Sequence, residues 1–309
     1  MKRQRDFRRS RLLACAAAAG LLAGTAFAYD AQPLGGTITP QTLAESLLTA
    51  GSGIVINSVD YQGADIASGL FTGGQAIFGI ASGIVLTSGN AQTFGSTANG
   101  QPGAPLLKPL TTGTTNDASV LTIRFTPSGD QIQFSYVFGS SEYPQYVDSE
   151  FNDVFGFIVN GENRALIPGT STPVAINNIN CGDAGGAGSR PHCALFVDNR
   201  AGNQGMNADA LGGWTQVFNL TAQVNPGVEN ELILAIADVV DNILDSAVLI
   251  AGGTLGVCGG PGQPPCGGGP TPPLPEYQPV PFMTPAPLAL LVLMMGGVAA
   301  RALRRQPRR

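Results

Sequence analysis

Of the 309 residues only 12% are charged, while 42 are glycine and 23 proline, a turn-rich composition that argues against a helical bundle. Six of the 16 basic residues fall in residues 1–11 and five in 301–309. The middle therefore holds Lys108, Arg124, Arg164, Arg190 and Arg200 against twenty acids, a net −15, which repels phosphate backbones and argues against nucleic acid as a partner.

In chain order, residues 1–11 are a basic leader, followed by the apolar stretch Leu12–Phe27 and the small-x-small run Ala26-Phe27-Ala28. This pattern predicts a secretory signal over 1–28 and a mature start near Tyr29. Arg8-Arg9 also fits a twin-arginine leader, and an uncleaved anchor helix is the alternative.

Residues 29–257 are enough for one β-sandwich core. Thr39-Pro40 predicts an N-cap and first residue of a short helix with Leu43, Leu47 and Leu48 on one face, stopped at Gly51. Beyond it the period is two. Leu121, Ile123 and Phe125 alternate with Thr122 and Arg124, and Pro127–Asp130 supplies a turn. Ile132, Phe134, Tyr136 and Phe138 then share one face, with Gln131, Gln133 and Ser135 on the other. Asp153–Val159 is apolar on both faces and precedes the hairpin pair Asn160-Gly161. A strand from Trp214 to Gln223 and others over Glu231–Ala237 and Ala247–Ala251 complete an all-β sandwich or jelly roll with one short N-terminal helix.

Residues 258–279 are rich in glycine and proline with one charge, Glu276, and read as a linker. Residues 280–300 carry no charge and lead to Arg301, Arg304 and Arg305. The expected result is a marginal membrane span with its basic end left in the cytoplasm. The tail, with its Val280–Pro285 motif, resembles exosortase-type sorting signals, which implies a processing protease as partner. A permanent single-pass anchor is the alternative.

Cys181 with Cys193 and Cys258 with Cys266 are close in sequence, and in an exported chain each pair is expected to close a local disulfide, free thiols being the alternative. His192 falls inside the first of these loops, an improbable place for a Ser-His-Asp centre.

The acids carry the main candidate chemistry. Asp117, Asp153 and Asp245 each stand before a predicted strand, Glu142 follows the strand ending at Phe138, and Asp238 and Asp241 are assigned to the loop leading to Asp245. Carboxylates gathered at one end of a sandwich repel unless a cation or protons intervene. Calcium suits such a set because it accepts loop carbonyls along with carboxylates. Separate Asp residues that cap turns and face water are the alternative. Two of the acids at roughly 5–9 Å would make a surface glycoside hydrolase, the competing function. Of the aromatic residues, Trp214 is expected in the core, and Tyr143 and Tyr146 in an exposed loop beside Glu142.

Several long stretches, Ser135–Val147, Phe151–Gly161, Leu166–Asn177 and Leu234–Val248, resemble the choice-of-anchor L domain over roughly residues 40–255. Gly83–Asn90 and Asp117–Leu121 fit the same family. The chain departs from it at Ser141 and Gln145, where relatives often carry Glu, and at Val240, where Gly is frequent. The resemblance implies an exported domain joined to a surface-anchoring tail. The expected role is non-catalytic: adhesion, matrix or envelope architecture, or binding of a surface glycan or protein.

Overall fold

Apolar and polar side chains alternate over the first six residues of β6 (Gln131–Ser140), a strand that pairs with four others. The computed structural model describes residues 28–182, 190, 192–260 and 262–266. Two antiparallel sheets pack face to face. The first holds β1 (Asp30–Pro33), β3 (Ser68–Thr72), β4 (Ser82–Thr87), β13 (Ser246–Ala251), β6, β10 (Gly213–Thr215) and β9 (Phe196–Asp198) in that order. In it β11 (Phe218–Gln223) and β14 (Gly256–Val257) also pair with β6. The second runs β2 (Ile54–Gln62), β5 (Thr115–Pro127), β12 (Asn230–Val239), β7 (Val154–Val159) and β8 (Glu162–Asn163). The expected β-sandwich is the fold.

The face of β6 formed by Ile132, Phe134, Tyr136 and Phe138 is buried against Leu121, Ile123 and Phe125 of β5 and Phe155, Phe157 and Val159 of β7. Phe134 and Phe157 meet with ring centroids 3.9 Å apart, joining the two sheets. A second apolar layer covers the outer side of the first sheet. There Trp214, 1% exposed, packs edge-on against Phe78 with Val85, Val137 and Leu249 beside it. Trp214 is a core residue, as expected.

Local signals act where the sequence puts them. The Thr39 hydroxyl accepts from the Thr42 amide at 3.2 Å, and Thr42 returns the bond to the Thr39 amide, opening α1 (Pro40–Leu47). The helix ends before Gly51, because Leu48 turns extended and bridges to Leu255, so Leu48 leaves the face shared by Leu43 and Leu47. Thr39→Ala removes the cap and is expected to lower the unfolding free energy by about 1 kcal/mol, read from the denaturant midpoint. Asn160 and Gly161, at φ 50° and 87°, form the two-residue turn between β7 and β8.

Three expectations need correction. β5 starts at Thr115 rather than near Leu121, so Asp117 lies within it. β12 runs on to Val239, so Asp238 is a strand residue. The single strand expected from Trp214 to Gln223 is two, because the Gln216 amide donates to Leu195 and the Thr215 hydroxyl accepts from Phe138 in place of a strand carbonyl.

Both disulfides, Cys181–Cys193 and Cys258–Cys266, are formed. The leader, most of the linker and the tail lie outside the described residues. No helix among the described residues is long and apolar enough to cross a membrane.

Candidate functional site

Antiparallel register gathers five chain segments at one pole of the sandwich. Val239 at the end of β12 faces Thr115 at the start of β5, and Val154 at the start of β7 faces Ala237. Ser246 at the start of β13 faces Ser140 at the end of β6. Each acid singled out above sits at or just beyond one of these strand ends. Asp117, Glu142, Asp153, Asp238 and Asp245 are all buried, none more than 3% exposed, and Asp241 is half-buried. Turn caps facing water would not look like this.

Asp153, Asp117 and Asp245 are each held by a different segment. Asp153 accepts from the Val239 amide at 2.9 Å and from the Ser246 hydroxyl at 2.7 Å, tying β7 to β12 and β13. Asp117 adopts φ 51° and accepts from the amides of Asn99 and Gly100 at 3.1 and 2.8 Å. Asp245 accepts from the Thr97 amide at 3.1 Å through Oδ1. The 88–101 loop thus straps the pole by donating backbone N–H groups to two of the acids. Asp241 accepts from the Ile243 amide, and its carbonyl accepts from the side chain of Asn116.

Four buried carboxylate oxygens at the pole have no hydrogen-bond partner: Glu142 Oε2, both oxygens of Asp238, and Asp245 Oδ2. Asp238 follows a register shift in β12 that turns its side chain inward beside Ser88 and Asp153. Asp245 lies directly over Gly89, where a Cβ would stand 2.0 Å from its carboxyl carbon. Only a glycine leaves room for the carboxylate.

Buried charges this close raise one another's proton affinity. Burial, then the charges of Asp153 and Asp241, push Glu142 up to about 8. Burial, aided by Asp117, moves Asp245 to about 6 against the bonds from its loop. Asp153 and Asp238 form a coupled pair, both pushed up by burial. The charge of Asp153 raises Asp238 further, and that of Asp241 raises Asp153 further. None of the four ion pairs among the described residues reaches the pole; they join Arg124 to Glu231, Arg164 to Glu162, Arg190 to Asp148 and Arg200 to Asp198. The site is thus an oxygen-only, uncompensated set of acids whose fields overlap. Among the described residues no three acids already converge as a metal shell.

The strap residues Thr97, Asn99 and Gly100 had no sequence signal beyond a run rich in Gly, Ser and Asn, whereas Ser88, Gly89 and Ser246 lie in the stretches Gly83–Asn90 and Leu234–Val248 without being singled out. Tyr143 corrects an expectation: it is 1% exposed and packs against Phe196, because its loop folds inward, while Tyr146 is exposed. Two clefts open elsewhere. One of about 290 Å³ is lined by Asn152, Asn177 and Glu150, its single carboxylate, and one of about 440 Å³ has no carboxylate. Neither offers the acid pair of a glycoside hydrolase, and nothing else points to one.

No curated protein and no solved structure matches the chain. A family model described as the choice-of-anchor L domain matches residues 31–256, which span the two-sheet unit from β1 to β14, and the chain belongs to that family.

Proposed function

We propose that this cell-surface protein is a non-catalytic module, held at the envelope by its C-terminal segment, whose carboxylate pole takes a calcium ion. The observation that carries the reading is the set of four buried, unpartnered oxygens on Glu142, Asp238 and Asp245. Leaving such groups unsatisfied costs stability, and a hard divalent cation offsets both their repulsion and their missing partners. Glu142, Asp238 and Asp245 do not already converge, and would have to draw together to hold the ion, with loop carbonyls completing the shell. Asp117, Asp153 and Asp241 supply surrounding negative charge while keeping their own hydrogen bonds. Bound there, the ion would fasten the 88–101, 141–153 and 240–245 loops to one another. Such a domain serves adhesion, matrix or envelope architecture, and its tail is a substrate for a sorting protease or a permanent anchor.

Thermal melting of the protein in EDTA against millimolar calcium tests the reading. At a calcium concentration about a hundred times Kd the gain is about 2.7 kcal/mol, expected as a rise of several degrees in midpoint. The double variant Glu142→Gln, Asp238→Asn should melt higher than the parent in EDTA at pH 8 and show no calcium response. An unchanged parent midpoint removes the ion from the account.

A further inference from the structure

The outer face of β6 changes character along its length. Val137 lies under the apolar layer with Phe78, Ile80 and Trp214, whereas Ser135 and Gln133, two and four residues earlier, are left partly open. Over them runs the groove of about 440 Å³. Its floor joins neighbouring strands. Asn219 of β11 stands opposite Ser135 in register and accepts from its hydroxyl at 2.6 Å. Thr254, between β13 and β14, accepts from the Ser135 amide at 3.2 Å and donates to the Ala251 carbonyl at 2.7 Å. Gln75 lines the groove from α2 (Gln75–Phe78), and Pro264 from the Cys258–Cys266 loop.

We propose that this groove is a binding subsite for uncharged hexose units of a glycan. Three features converge on that ligand. No charged residue lines the groove, although the middle of the chain carries a net −15, so an ionic ligand would find no counter-charge. The Asn219 side-chain nitrogen and the remaining lone pairs of the Ser135 and Thr254 hydroxyls offer a donor and acceptors together, as sugar hydroxyls require. A purely apolar ligand would cover the Asn219 side-chain nitrogen without giving it a partner. Ile80, Val217 and Ala251 add small apolar patches for the C–H edges of a ring.

Glycines 79, 252, 253 and 256 contribute backbone rather than side chain to the lining. At Gly253, φ +69°, no atom stands within 4 Å of where a Cβ would be, so a ligand can approach the main chain. The volume falls within the usual range for small-molecule sites and holds on the order of one or two sugar rings. Along β6 the groove residues Gln133 and Ser135 lie toward the strand's start and Glu142 beyond its end, so this site and the carboxylate pole are spatially separate.

Titration calorimetry of the full chain with neutral gluco-, manno- and galacto-oligosaccharides, and with oligogalacturonate as the charged control, tests the proposal. It is run in EDTA and again in calcium, so that failure of the ion site is read separately. Saturable binding of at least one neutral oligosaccharide and none of oligogalacturonate is expected in both buffers. Asn219→Ala should weaken it about tenfold, the effect of one or two lost hydrogen bonds, and Ala81→Trp, at an exposed lining position, should block it. Melting midpoints check that both variants are folded. In the parent protein, NMR shifts of the Gln133 and Asn219 side-chain amides should move on titration, a readout that needs no variant. The proposal is overturned by absence of neutral binding, by binding of oligogalacturonate alone, by binding that both folded variants retain in full, or by amide shifts that stay put.

Discussion

In EDTA the protein loses stability as pH rises from about 5 to about 8. Glu142 and Asp245 have folded-state proton affinities raised to about 8 and about 6, against ordinary values near 4, and the Asp153–Asp238 pair is raised as well. Between the unfolded and folded values the native state therefore binds more protons than the unfolded chain. Stability must then fall with pH through that interval. The protons on Glu142 and Asp245 are fully present below about pH 4 and leave as pH rises through about 6 for Asp245 and about 8 for Glu142. Every tenfold gain in proton affinity on folding is worth about 1.4 kcal/mol, so the combined loss amounts to several kcal/mol. Millimolar calcium should flatten the curve above pH 6 by replacing protons with a cation. Unfolding midpoints at stepped pH, with and without calcium, measure both. A stability that is level or rising over this interval would mean the acids ionise as ordinary surface carboxylates do.

Phe157→Ala is expected to cost about 3–5 kcal/mol, the usual range for deleting a fully buried aromatic ring. Phe157 has no exposed surface, sits on β7 beside β12, and contacts Phe134 of the opposite sheet. Truncation would empty the space between the sheets where strands on both sides are fixed by their ladders and cannot collapse inward. At about 2–4 °C per kcal/mol for a domain of this size, the midpoint should drop by roughly 6–20 °C. Tyr146→Ala is the comparison: its ring is exposed and meets Phe151 edge-on, so little change in midpoint is expected.

Local chemistry was legible in the sequence. The face of Ile132, Phe134, Tyr136 and Phe138, the Thr39 cap, the Asn160-Gly161 turn and the nearby cysteine pairs each depend on residues a few positions apart. What escaped depends on distant partners. Asp238 reads as the beginning of a loop because an acid follows an apolar run, yet β5 on one side and the bulge after Ile236 keep it in the strand and turn it inward. Tyr143 reads as a loop aromatic, but its burial needs Phe196. The acids could be named from the sequence, but not the strap that closes over them. The Thr97–Asp245 bond spans 148 residues and the Asn99–Asp117 bond 18.

The way the chain leaves the sandwich sets which end a C-terminal tether would hold. Val257 pairs with Ile132 near the start of β6, and the following Cys258–Cys266 loop is stapled there by the bond from the Cys258 amide to Gln131. Any tether downstream of residue 266 therefore pulls on the end opposite Glu142 and Asp245. With such a tether the acidic pole would face away from the attachment, while the groove beside Pro264 would lie nearer to it.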